Sequence, residues 1–214
     1  AVLDSNVGTW NVRGEKVDDT QEPPIQPSDK RLSIIDKKGA LQSAVAITIR
    51  AIPRRHPDYF KLRLLITAFG GYFGSRLNMN IREDKGYTYG IHAYLAGRKE
   101  EGHIAIATEC AAQHTEAVID EIRHEMRRLR EQPMPDEELA VVRNHMMSDL
   151  LKTFDTAFSL ADYVGSTITV GVQPEYFNRQ YSILQTFTPE QLQSLAQTYL
   201  VDERLRIAIA GPVE

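Results

Sequence analysis

The sequence predicts an α+β fold in which a mostly antiparallel sheet is covered on one face by helices. Three observations carry this expectation: apolar residues alternate with period two near both ends of the chain, they recur with helical period through its middle, and proline or threonine starts mark the helices. Leu32 and Ile34, then Val45, Ile47 and Ile49, describe two half-buried strands near residues 32–36 and 42–50. Pro57 and Asp58 then start a helix, because proline's missing donor costs nothing in the first turn and a carboxylate favours the positive helix end. Leu62, Leu65, Ile66 and Phe69 form its apolar stripe. Gly70 and Gly71 end it, and Ser75 caps a short following helix that carries Leu77 and Ile81 inward. Gly70, Gly71 and Gly74 suit positive φ or close backbone approach in that tight connection.

Strands are expected at 87–96 and 103–111, joined by a turn at Arg98 to Gly102, with Ile104, Ile106, Thr108 and Cys110 on one face. Val118, Ile122, Met126 and Leu129 mark one helical stripe, and Leu139, Val142, Met146 and Leu150 mark another after Pro135. Leu160, Val164 and Ile168 suggest a third, weakened by the β-branched run from Thr167 to Val170. Thr188-Pro189-Glu190-Gln191 is a capping box that starts a helix reaching about Tyr199, and Leu205 to Ala210 alternate as a last strand. Residues 1–30 are polar and hold Pro23, Pro24 and Pro27, so they read as a linker from a preceding domain, with an edge strand at Trp10 to Val12 as the alternative. Residues 31–214 read as one domain without an internal repeat.

Composition excludes several function classes. With 214 residues, 42% hydrophobic, the chain is long enough for a single sizeable core. A formal net charge of -4 without a basic run argues against nucleic acid as a partner, since phosphate binding needs a clustered cationic face. The densest basic patch, Arg123 to Arg130, alternates with Glu125 and Glu131 and reads as the solvated face of a helix. Cys110 is the single cysteine, so no intrachain disulfide forms, and its place in an alternating strand makes it a small core residue. No apolar run reaches the length of a membrane span, and Ala1 to Trp10 lack the regions of a signal peptide. The chain opens on Ala1, as a piece cut from a longer protein would, and its compartment stays open between bacterial periplasm and cytoplasm.

The most informative stretch runs from Gly70-Gly71-Tyr72-Phe73-Gly74-Ser75-Arg76-Leu77 through Ile81-Arg82-Glu83-Asp84-Lys85-Gly86-Tyr87-Thr88-Tyr89-Gly90. It joins a glycine connection, a short helix and a strand entry, and brings two polar side chains, Arg82 and Tyr89, within reach of one point. Arg82 offers a rigid fork of donors with permanent charge, and the Tyr89 phenol donates one hydrogen bond from a stiff ring. At the rim of a cleft the pair suits a substrate carbonyl whose oxygen gains negative charge. The plainer reading makes Arg82 a helix-surface ion pair with Glu83, Asp84 or Asp58 and Tyr89 a cross-strand core tyrosine. A phosphate loop does not fit, because no Gly-Lys-Ser/Thr follows and no strand precedes.

This stretch resembles the second-repeat, non-zinc domain of the zinc metallopeptidases that include pitrilysin, insulin-degrading enzyme and mitochondrial processing peptidase. The family pattern is similar to G-G-x-F-x-S-R-L-x-x-x-(I/L)-R-E-x-x-G-x-x-Y, and nearly every fixed position is met here. The resemblance implies a substrate-binding and catalysis-assisting domain of a zinc-dependent endopeptidase, with Arg82 and Tyr89 stabilising the substrate carbonyl. Tyr72 and Phe73 read as core or cleft-wall aromatics that could line a peptide groove, and with Gly71 and Tyr87 they are the candidate substrate-binding residues. The resemblance further implies zinc in the complete enzyme, carried by another domain or a partner subunit and not by this chain, with a peptide as substrate. The alternative it leaves is a non-catalytic scaffold or peptide-binding relative. The family's H-x-x-E-H zinc motif is absent: Met126, Arg127 and Arg128 follow His124-Glu125, and His56, His92, His103, His114 and His145 form no close pair at ligand spacing. One departure stands before the tyrosine, where relatives carry an aliphatic and a small residue and this chain has Tyr87-Thr88. Tyr87 and Tyr89 would share a strand face, so either phenol is a candidate, with Tyr89 in the motif position.

Overall fold

The strand Gln42–Ala51 (β2) sets the architecture, because its alternation is complete: Val45, Ile47 and Ile49 are buried while Ala44, Ala46 and Thr48 stay open. The computed structural model describes residues 30–173 and 176–212, together with Ser5, Asn6 and Gly8. The linker or edge strand expected before residue 30 therefore lies outside the described residues. Around β2 run Leu32–Asp36 (β1), Thr88–Gly97 (β3), Gly102–Ala111 (β4) and Arg206–Gly211 (β5), in the spatial order β1-β5-β2-β4-β3. β1 runs parallel to β5 and the other neighbours are antiparallel, so the mostly antiparallel sheet holds. The strand expected near 32–36 is present but exposed along its length, not half-buried. It sits at the sheet edge, where β5 from the far end of the chain separates it from β2.

Helices cover one face of this sheet. The first, Tyr59–Ile66 (α1), continues into a wider π-type turn, Thr67–Gly71, and buries Leu62, Leu65, Ile66 and Phe69 as its stripe requires. Thr115–Glu131 (α2) and Asp136–Leu151 (α3) bury both expected stripes. In α2, however, Glu125 is only 1% exposed, so the basic patch is not simply a solvated face. Ala157–Thr169 (α4) forms where a third stripe was expected, but Leu160 and Ile168 are exposed and Thr167 is its buried residue. Tyr176–Thr186 (α5) lies in the helical stretch between the third stripe and the capping box and buries Leu184 and Gln180. Pro189–Tyr199 (α6) starts at the complete capping box, Thr188 accepting from Gln191 N and the Gln191 side chain accepting from Thr188 N.

The β4 face of Ile104, Ile106, Thr108 and Cys110 packs under these helices. Burial pushes the Cys110 thiol above its usual pKa, against a smaller opposing effect of the Thr115 hydroxyl, as befits a core thiol. Helices α1 to α6 leave the opposite face of the sheet uncovered among the described residues. There Ala44, Ala46, Ala107, Ala208 and Ala210 floor a shallow trough of about 500 Å³ that ends at Tyr89 and His92.

Candidate functional site

The segment from Gly70 to Tyr89 is built from two π-type turns, Thr67–Gly71 and Asn78–Asp84, a rare geometry that recurs at functional sites. Gly70 is required by close approach: a Cβ there would stand 2.7 Å from the Ala93 Cβ and 3.1 Å from the Ala93 backbone nitrogen of β3. Gly70, Gly71 and Gly74 do not adopt positive φ, contrary to that part of the expectation; Gly86 does, at φ 65, where the chain turns into β3. Ser75 does not cap with its hydroxyl, which instead accepts from the Asn78 side chain at 3.1 Å. Asn78, itself buried, also faces the carbonyls of Tyr72 and Ile91 at 3.1 and 2.9 Å, tying the second π turn to β3. Arg76 holds Glu138 of α3 with both Nε (2.7 Å) and Nη2 (2.9 Å). Leu77 and Ile81 are fully buried beneath, so the turn presents Arg82 outward.

Arg82 lies 3.5 Å from Glu83 through Nε, so the ion pair of the plainer reading exists with one of its three named partners. Both side chains are over a third exposed, and such a pair contributes at most about 1 kcal/mol. The guanidinium also sits over the Phe73 ring, 4.6 Å from its centroid, a contact that sequence reasoning missed. Tyr89 departs from the plainer reading altogether. It is 94% exposed, and among the described residues its hydroxyl has no protein partner.

The geometry of Tyr89 follows from a bulge between Thr88 and Ile91. The Thr88 hydroxyl accepts from Gly90 N at 3.1 Å and donates to the Glu109 carbonyl at 2.6 Å, closing the irregular step. Tyr87 stands just before the strand and Tyr89 just inside it, and both line the same cleft. Tyr87 is half-buried and stacks on His114, ring centroids 4.6 Å apart.

Arg82, Tyr87 and Tyr89 line one cleft of about 430 Å³ together with Gln42, Glu109 and His114. Tyr89 lines the sheet trough as well, so it stands where the two concavities meet. Phe73 reaches this group through its contact with Arg82. Gly71 and Tyr72 line neither concavity; the Tyr72 ring stacks on His145 at 4.8 Å, and burial, then the Glu138 charge, raise its phenol pKa.

A model of the peptidase M16 inactive domain matches residues 1–146, more than half of the chain. The chain belongs to this family. An uncharacterized zinc protease of Streptomyces coelicolor is 20% identical over 184 residues, 86% of this chain and 40% of the relative. One of Mycobacterium leprae is 23% identical over 220 residues, 99% of this chain and 47% of the relative. The chain thus spans less than half the length of these curated relatives. Among solved structures, the M16 inactive domain of Pseudomonas fluorescens superposes with a TM-score of 0.79 at 20% identity, over 86% of this chain and 44% of that one. The inactive peptidase domain of a Bordetella parapertussis protein gives 0.70 at 16% identity, over 83% of this chain and 96% of that one. The α+β architecture is therefore that of M16 inactive domains.

The M16 name raises the question of zinc, and the described side chains do not fit the ion. Among the described residues no group of three or more His, Cys, Asp or Glu could hold a metal. The histidines nearest the cleft, His92 and His114, line different concavities, and His114 is engaged in the stack with Tyr87. No described helix is long and apolar enough to cross a membrane.

Behind the π turn a polar network occupies the opposite side of the motif helix. Asn80 Nδ2 lies 3.0 Å from Glu121 Oε2 and 2.8 Å from Glu125 Oε1, and Lys85 Nζ lies 3.2 Å from Glu121. Partial burial alone would raise the Glu121 carboxyl, but hydrogen bonds from Asn80 and Lys85, with the charges of Lys85 and His124, hold it below its usual value near 4.5. A depressed carboxylate stabilises the fold above the unfolded value and loses that contribution as pH falls through the lower folded value. Glu121→Gln is therefore expected to be less stable than the parent at neutral pH, with the difference shrinking as acid protonates the native carboxylate. Denaturant melts from pH 7 down to the acid limb check this; a stability gap that widens on acidification contradicts it.

Proposed function

We propose that this M16 domain is the substrate-binding and catalysis-assisting part of a zinc-dependent endopeptidase, acting opposite a zinc-bearing domain or partner subunit. The observation that carries the reading is Tyr89: a bare phenol on a bulged strand entry, at the meeting point of a peptide-sized trough and a cleft shared with Arg82. Fully exposing an aromatic ring offers nothing to folding, whereas a donor held by an ordered strand suits a carbonyl oxygen that gains charge. A peptide lying over the alanine floor would bring a carbonyl to Tyr89 at one end. Arg82, cushioned on Phe73, would add positive charge by exchanging its weak pairing with Glu83 for the stronger demand of the reacting oxygen. Water activation belongs to the zinc-bearing half on this reading, because the described residues offer no fitting ligand set.

A scaffold role is the second reading. It is favoured by a Bacillus subtilis relative, 24% identical over 143 residues (65% of this chain, 32% of the relative), whose name describes an inactive metalloprotease. The two readings separate in one reconstitution. The chain alone is expected to hold no stoichiometric zinc by elemental analysis and to leave a fluorogenic peptide uncut. Added to its zinc-bearing half, or tested as the full-length protein, it is expected to raise turnover above that of the zinc-bearing half alone. Equal rates with and without this domain would establish the scaffold.

A further inference from the structure

The network behind the π turn is more elaborate than packing requires. Glu125 of α2 is a carboxylate only 1% exposed, and a buried charge is tolerated only when its oxygens are fully partnered. Its partners are Arg128, 2.9 and 3.2 Å away on the same helix, and Asn80, which reaches across from the motif helix. Asn80 simultaneously donates to Glu121, one turn earlier on α2. Lys85, at the far end of the same π turn, closes on Glu121 too. The two attachments bracket Arg82.

The backbone of this segment needs such support. Its closing bonds mix spacings, Lys85 N to Asn80 O at 3.1 Å, Gly86 N to Arg82 O at 3.1 Å and Tyr87 N to Ile81 O at 3.0 Å, so the uniform ladder of an α-helix is interrupted here. Asn78 fastens one side of the turn to β3 and Asn80 fastens the other to α2. Arg82, two residues beyond Asn80, has as its own contacts only the loose pairing with Glu83 and the Phe73 ring face, so the placement of its backbone by that fastening weighs heavily on its direction.

We infer that Asn80, held by the buried Glu125 and by Glu121, is a positioning residue that fixes the π turn and thereby aims Arg82 into the cleft beside Tyr89. The inference rests on the reading of Arg82 given above. Its structural half has a readout of its own, because a guanidinium held over a ring face has its side-chain proton resonances shifted upfield by the ring current.

The experiment compares three variants of this chain by NMR: Asn80→Ala, Glu125→Gln, and Thr188→Ala, a control that weakens the distant capping box of α6. Asn80→Ala is expected to abolish the upfield displacement of the Arg82 resonances and to lower hydrogen-exchange protection over residues 78–86. Thr188→Ala is expected to lower the melting temperature while leaving both unchanged. If Asn80→Ala does not fold, Glu125→Gln, which keeps the shape and an acceptor oxygen, is expected to shift the same resonances part of the way. In the full-length protein or reconstituted complex, Asn80→Ala should then lower kcat on a fluorogenic peptide on the order of tenfold to a hundredfold with KM within about twofold. It should add nothing to the loss already caused by Arg82→Ala, because both act through one group. Unmoved Arg82 resonances in the folded Asn80→Ala or Glu125→Gln chain, or losses that multiply in the double variant, would overturn the inference. An Arg82→Ala protein at full turnover would instead remove the functional reading beneath it.

Discussion

Tyr89→Phe, in the full-length protein or the complex with its zinc-bearing half, is expected to lower turnover on the order of a hundredfold to a thousandfold, the usual effect of losing one oxyanion donor. The change removes an oxygen from a side chain that is 94% exposed and, among the described residues, without a hydrogen-bond partner, so the fold has little to lose. The loss should fall on kcat with KM little altered, since the donor serves charge that is present mainly in the transition state. Arg82→Ala should cost at least as much if, as proposed, its charge also orients the peptide. Tyr87→Phe should cost little: its ring is held by His114 and the core, and that stacking survives the change. Steady-state kinetics on all three decide the assignment. A Tyr87→Phe protein that loses turnover while Tyr89→Phe keeps it would exchange their roles.

The second large effect is on stability, at Gly70. A methyl group there would stand 2.7 Å from the Ala93 Cβ, 2.9 Å from Leu77 Cδ1 and 3.1 Å from a backbone nitrogen. Neither Ala93 nor the strand backbone has a rotamer in which to escape, so the π turn and β3 must separate. Gly70→Ala is therefore expected to destabilise by about 1–3 kcal/mol, a typical overpacking cost. In a domain of this size that lowers the melting temperature by roughly 2–4 °C per kcal/mol. Gly71→Ala meets nothing nearer than Thr67 Cβ at 3.3 Å and should melt within about a degree or two of the parent. Thermal melts of the two variants test the difference, and equal midpoints would show that the turn has slack.

The contrast between these glycines also shows what was legible in the sequence. Motif spacing marks both as special, but only the register that lays the turn against Ala93 distinguishes them. Strand and helix positions followed from periodicity wherever one face is buried, as in β2, β4, α2 and α3. Periodicity failed where burial is set by distant partners. β1 alternates yet stays exposed, because β5 takes the place beside β2, and the stripe of α4 faces outward at Leu160 and Ile168. In the candidate site, the family motif singles out Arg82 and Tyr89, and the structure puts both on one cleft. The bulge that turns Tyr89 out, the Phe73 cushion and the burial of Glu125 depend on contacts across elements and carry no local signature.

Tyr89 is proposed to act on a reacting carbonyl from a domain whose described residues hold no fitting zinc ligand set. The most direct measurement is the affinity of the full-length protein or complex for a tetrahedral phosphinic analogue of its peptide, in the parent and in Tyr89→Phe. Affinity for the analogue should fall by about the same factor as kcat/KM, while KM for the peptide itself stays within about twofold. Analogue affinity unchanged by Tyr89→Phe, whatever happens to the rate, would contradict the account.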